Sequence, residues 1–207
     1  MRGSAAVTLL VLAAACSGST PPAGPLGQTD AGEAWGWSRT VEVGQQFTDG
    51  QPLIFVADPT LEVTIAAVEP LIAGDGLRHL GTSIVGPDRA TGLVQYFDSW
   101  PPPSADFGVP LDDATGARLH GADDTETDLP NGAGWELLAG FEVTGAGRST
   151  VQGYRVLYEH EGRRYSTVLG TTVAICAEEQ APVGPDECEP EYEVRLDHQP
   201  TPPTWER

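Results

Sequence analysis

The sequence predicts an all-β domain, an antiparallel β-sandwich, on three observations. Gly 25 and Pro 18 in a chain of 207 residues supply many turns and leave little room for long helices. Short runs rich in β-branched and aromatic residues alternate apolar with polar and are bounded by turn signals. Residues 151–169 spell a hairpin, two such runs separated by Glu161-Gly162.

In chain order, Thr40-Val-Glu-Val reads as the first strand. Pro52-Leu-Ile-Phe-Val follows, bounded by Asp49-Gly50 and Asp58-Pro59. Leu61 to Val68 alternates, with Leu61, Val63 and Ile65 on one face. β-Branched density and Pro70 argue against a helix there. Leu77 to Val85 follows the turn Gly74-Asp75-Gly76, and Gly92 to Phe97 is stopped by Pro101-Pro102-Pro103. Trp135 to Val143 is the next strand. If Glu161-Gly162 form a primed turn, His160 faces Arg163, Glu159 faces Arg164, Tyr158 faces Tyr165 and Val156 faces Thr167. Tyr154, Val156 and Tyr158 then share one face. Thr172 to Cys176 adds a strand, and Tyr192 to Leu196 a last one. Many short strands at regular spacing describe a sandwich, of which an immunoglobulin-like arrangement is one form. Residues 99–134 are the long irregular excursion, with a helical turn expected near 111–118. The domain is expected to span 39–198, with 199–207 a frayed tail.

The N-terminus carries a different signal. Met1-Arg2 is positive, and Ala5 to Ala15 is an apolar run of signal-peptide length, too short to span a bilayer. It ends in Leu12-Ala13-Ala14-Ala15-Cys16, followed by Ser17-Gly18-Ser19. This resembles the lipobox of bacterial lipoproteins, although Ala13 stands where Leu is usual and Leu12 lies one place earlier. The resemblance implies that 1–15 is a signal peptide and that Cys16 becomes a lipidated N-terminus, carrying a diacylglyceryl thioether with palmitate-type chains. It also implies a place on the outer face of the bacterial cell membrane. Two acyl chains anchor stably where one anchors only marginally. The alternative is an ordinary signal peptide cleaved after Ala15. Residues 16–38 then read as the lipidated end and a flexible tether, rich in Gly and Pro, with a reach on the order of 25 Å.

The charge excludes one class of partner. The chain has 11 basic residues, all Arg, against 30 acidic ones, a net of −19. Cleavage after Ala15 removes Arg2 and leaves 10 against 30, or −20. Such a surface repels nucleic acid and anionic headgroups, so no nucleic-acid partner is expected.

With Cys16 given to lipid, Cys176 and Cys188 remain as a pair, read as a disulfide in an exported chain. Cys176 has a second reading. His120 upstream and Arg195 downstream place it in an order that resembles sortases, which would make the protein a surface thiol enzyme. The Thr next to the cysteine region is displaced here to Thr171 and Thr172, and the anchor is lipid rather than a helix. A hydrolase reading lacks the Gly-x-Ser-x-Gly elbow, and His79, His120, His160 and His198 read as sheet or surface residues. Asp124, Glu126 and Asp128 alternate as calcium ligands might. Leu129 stands where an EF-hand needs Gly, and no Glu closes the loop, so a solvated acidic loop is the preferred reading. No cofactor is expected. What remains is a non-enzymatic binding or accessory module. Tyr96, Phe97 and Trp100 are its candidate surface toward a protein or glycan partner, with core packing the competing reading for each ring.

Overall fold

The computed structural model describes residues 24–27, 36–56, 58–121, 134–178 and Cys188. Strands form where the alternating runs stand: β1 (Leu26–Gly27), β2 (Gly36–Glu42), β3 (Gln46–Asp49), β4 (Leu53–Val56), β5 (Glu62–Ala73), β6 (Leu77–Val85) and β7 (Tyr96–Phe97). After them come β8 (Asp112–Asp113), β9 (Arg118–His120), β10 (Trp135–Val143), β11 (Gly147–His160), β12 (Arg163–Leu169) and β13 (Thr172–Glu178). They make two sheets. One runs β1-β4-β10-β3-β7, with β6 on the other edge of β10 and β8 beyond it. The other runs β2-β13-β11-β5-β9, with β12 also on β11.

Both sheets use the same device. Each has one long strand that takes two short partners in series along a single edge. On β10, β3 pairs over Ala139 to Glu142 and β4 over Trp135 and Glu136, and the chain bends between them at Gly50 to Pro52. On β11, β13 pairs over Gly147 to Val151 and β12 over Tyr154 to His160, and the chain bends at Gly170-Thr171. Opposite that second bend Gly153 forms a bulge. Its φ is +130°, and a Cβ there would press on the Leu169 carbonyl 2.5 Å away. The two bends face each other across the core, where the Thr171 hydroxyl donates to Gln51 Oε1 at 2.9 Å.

The sheets join at one corner. β5 turns into β6 through Gly74 to Gly76, and β10 into β11 through Thr144 to Ala146. The Thr144 amide donates to the Gly76 carbonyl at 2.8 Å, and the Gly76 amide to Ser149 Oγ at 3.0 Å. Between the sheets lies the main core, with Phe47, Ile54, Ile65, Leu137, Phe141, Tyr154 and Val156 all closed to solvent. A second, smaller core sits on the outer face of the first sheet. Val85 and Leu138 point that way and meet Phe107, with Phe97, Trp100, Val94, Val109 and Leu111 packed around them. β10 is therefore buried on both faces. That is why Leu137-Leu138 breaks the period-2 pattern.

The hairpin has the expected register. His160, Glu159, Tyr158 and Val156 pair with Arg163, Arg164, Tyr165 and Thr167. Glu161 and Gly162 have φ of 49° and 71°, the signs of a type I′ turn. Tyr154, Val156 and Tyr158 are buried together. The all-β sandwich also holds, with one parallel pair, β2 on β13, among the antiparallel ones. Thirteen strands among the described residues exceed the seven to nine of an immunoglobulin domain.

Other expectations are corrected. Gly92 to Gln95 is not strand but a loop from which Val94 packs on the second core; only Tyr96–Phe97 pairs, with β3. The segment 111–118 holds β8 and a turn instead of a helical turn; among the described residues the one helical turn, of 3-10 type, is Ser104–Asp106. β5 continues through Pro70. Pro70 stands opposite Tyr154 beside the register shift at Gly153, and a bulge is a place where a strand tolerates proline. The ordered chain also reaches into the proposed tether. Leu26 is buried on β4, Gly36–Glu42 is strand, and Trp37 is a core residue.

Candidate functional site

Cys176 lies in β13 and is bridged to Cys188, with Cα atoms 5.7 Å apart. Closing that loop stabilises the fold by about 3 kcal/mol in the chain-entropy model. A bridged sulfur is no nucleophile. His120, in β9, is also remote from it. Three strand spacings, roughly 14 Å, separate β9 from β13. β13 pairs with the start of β11 and β9 lies beside its end. The thiol-enzyme arrangement of Cys176 and His120 is therefore not assembled. His120 packs edge-on to Trp135 at 5.2 Å, and the His160 ring is 2.9 Å from the Glu62 carbonyl. Cys16, Asp124, Glu126, Asp128, Arg195 and His198 lie outside the described residues. Among the described residues no group of three or more acidic, His or Cys side chains is placed to hold a metal ion, and no helix is long and apolar enough to cross a membrane.

The aromatic trio Tyr96, Phe97 and Trp100 does not form one surface. Tyr96 and Phe97 are neighbours on a strand and point to opposite faces. Tyr96 turns inward. It meets Trp37 at 5.3 Å and Phe47 at 6.1 Å, receives a bond from Gln45 Nε2 at 2.9 Å, and lies under the Arg39 guanidinium at 4.1 Å. Phe97 turns outward onto Phe107, 5.5 Å away, in the second core. Trp100 also packs on the second core and lines an open groove.

Two polar clusters are built around these rings. The first is an interior seam. Asp49, in β3, accepts from Tyr154 Oη at 2.6 Å, from Trp37 Nε1 at 3.1 Å and from the Gln51 amide at 3.2 Å. Tyr154 and Trp37 belong to the second sheet, so this carboxylate joins the two layers. Burial pushes its pKa up to about 6, against three donated bonds that favour the ionised form. On the other face of the same sheet Glu136 fastens the excursion. It accepts the Val94 amide at 2.8 Å and lies 2.8 Å from Arg89 Nε. Arg89 Nη1 in turn donates to the carbonyls of Gly134 at 2.7 Å and Gly86 at 3.2 Å. Burial raises Glu136 to about 7. The Val94 and Arg89 contacts pull it down, and the charge of Asp49 pushes it further up. Both carboxyls are closed to solvent, so they hold the structure together and meet no substrate.

The second cluster is open. An open groove of about 440 Å³ runs beside the excursion. One wall is β6 from His79 to Ser83, with Val68 of β5 beneath; the other is Trp100, Asp113 and Thr115. In a strand, side chains alternate between faces, so a wall of five consecutive residues is the strand's edge. That edge is bulged. Gly140 pairs with Gly81 and Phe141 with His79, leaving Leu80 as the extra residue. Trp100 is laid flat on Gly140, where a Cβ would overlap the ring, and a Cβ on Gly81 would stand 3.4 Å from its Cζ2. The two glycines thus form the seat of the indole. Thr48 Oγ1 holds the approach to it by donating to the Ser99 carbonyl at 2.6 Å.

Polar atoms in the groove are less engaged than those of the seam. Among the described residues the indole N–H groups of Trp37 and Trp135 have acceptors, and that of Trp100 has none. The His79 ring packs tilted against Phe141 at 5.7 Å, and its Nε2 is closed to solvent with no hydrogen-bond partner. Burial lowers the pKa of that imidazole, which keeps it neutral. Asp113 spends one oxygen on the Thr115 amide at 2.8 Å and is otherwise exposed. Of this set, sequence reasoning named Trp100 alone. Gly81 inside a strand was the available signal, because such a glycine marks a bulge or a close approach. No protein-family model matches the chain, and no curated protein matches it in sequence.

Proposed function

We propose that the protein is a lipid-anchored, extracytoplasmic, non-enzymatic binding module. Cys16 would hold it at the outer face of the bacterial membrane, and the groove beside Trp100 would engage its ligand. The observation that supports the groove is the seating of Trp100 on Gly81 and Gly140, which aligns an aromatic side chain with a bulged, polar strand edge. The acidic surface fits a module that stands off anionic headgroups while its lipid holds it near them.

Two experiments test the two halves. Metabolic labelling with a palmitate analogue should mark the wild-type chain and not Cys16→Ser, and Cys16→Ser should leave the membrane fraction. A labelled Cys16→Ser chain would overturn the anchor. Crosslinking in living cells, followed by isolation of the tagged chain, should recover one reproducible adduct that is lost in Asp113→Arg. Retention of that adduct in Asp113→Arg would place the binding face elsewhere.

A further inference from the structure

The groove's chemistry is specific enough to name a ligand class. It contains an indole N–H on Trp100 and a carboxylate on Asp113, with Thr82, Ser83 and Thr115 in its lining. No Arg lines it, and the chain carries −19 overall, so an anion is disfavoured. An extended peptide would need a continuous ladder along β6. The bulge at Leu80 interrupts that ladder, as bulges do on strand edges that avoid pairing. Mixed donors and acceptors beside an aromatic ring suit a neutral molecule with many hydroxyls and an apolar C–H face. The groove's volume lies within the range of small-molecule sites, about 300–1,000 Å³.

We propose that this groove binds a saccharide, with the sugar's C–H surface against Trp100 and its hydroxyls on Asp113. The proposal rests on the groove being the binding face, as argued above. Asp113 accepts from two adjacent hydroxyls, one of its oxygens also holding the Thr115 amide.

The test is NMR titration of the full mature chain carrying Cys16→Ser, labelled with ¹⁵N. The probes are glucose, N-acetylglucosamine and their β-1,4 trimers, with tetramethylammonium chloride as a cation control. The expected result is saturable shifts at the Trp100 Nε1–H, the His79 ring and the Gly81 and Thr82 amides, with a Kd on the order of 1 mM. Asp113→Asn, an exposed and isosteric change, should weaken that binding about tenfold while the remaining spectrum stays put. Trp100→Phe should weaken it while still covering the glycine seat. If no sugar shifts these signals and tetramethylammonium does, the saccharide is wrong and the groove reading survives. If neither probe moves them, the saccharide proposal fails, and the crosslinking experiment alone decides the groove. Sugar-induced shifts that are unchanged in Asp113→Asn would also overturn the proposal.

Discussion

The interior seam and the outer groove are made of the same residue types and behave oppositely. Each sets a tryptophan and a carboxylate beside a bend or bulge in a strand. In the seam every oxygen of Asp49 has a donor, and both flanking rings have spent their polar atoms on it. In the groove, Trp100 Nε1 has no acceptor among the described residues, and Asp113 is exposed. The difference separates polarity that holds two layers together from polarity left for something outside the fold. Composition alone does not distinguish them; the count of satisfied atoms does.

That contrast can be broken, beginning with the seam. Asp49→Ala strands Tyr154 Oη, Trp37 Nε1 and the Gln51 amide in the core, and should cost about 4 kcal/mol in urea unfolding. A loss below 1 kcal/mol would show that the seam is not structural. Asp49→Asn should cost less, since it keeps the shape.

A smaller effect follows from pH. Burial raises Asp49 from 3.8 to about 6 and Glu136 from 4.5 to about 7. Between the unfolded and folded values the native state binds more protons than the unfolded chain. The stability these groups contribute is therefore complete below about pH 4 and is lost as pH rises through 6 and 7. From pH 5 to pH 8 the unfolding free energy should fall by on the order of 3 kcal/mol. Glu136→Gln should flatten most of that slope, and a slope of the opposite sign would refute the assignment.

The groove responds to smaller changes. Gly140→Ala pushes a methyl into the indole and should cost about 2 kcal/mol by overpacking, while moving the Trp100 signals. A silent Gly140→Ala would mean that Trp100 has no fixed seat. Asp113→Asn should leave the unfolding free energy in urea within about 0.5 kcal/mol of wild type, which sets the groove apart from the seam most sharply.

How far these regions could be read from sequence depends on the distance over which each is decided. The hairpin register of Tyr158 on Tyr165 is set by neighbours along the chain and stands as expected, whereas Gly92 to Gln95, whose place depends on the second core, does not form the expected strand. Cys176 and Cys188 were likewise paired by elimination. Trp100 was legible as an aromatic of interest. His79 and Asp113 were not legible as its companions, because 21 and 13 positions separate them from it and no local pattern links them.

By itself, then, the sequence determined an all-β chain with alternating strands, one predictable hairpin and one cysteine pair, because periodicity and turn chemistry act over a few residues. The tertiary structure decided the rest. It split Tyr96 from Phe97 across a sheet, set the bend at Gln51 against the bend at Thr171, and covered the outer face of β10 with residues 86–111. It also chose two glycines, Gly81 and Gly140, as the seat of one indole. The physical reason is close packing: which atoms touch across layers depends on how two twisted sheets fill shared volume, and that is a property of the whole fold.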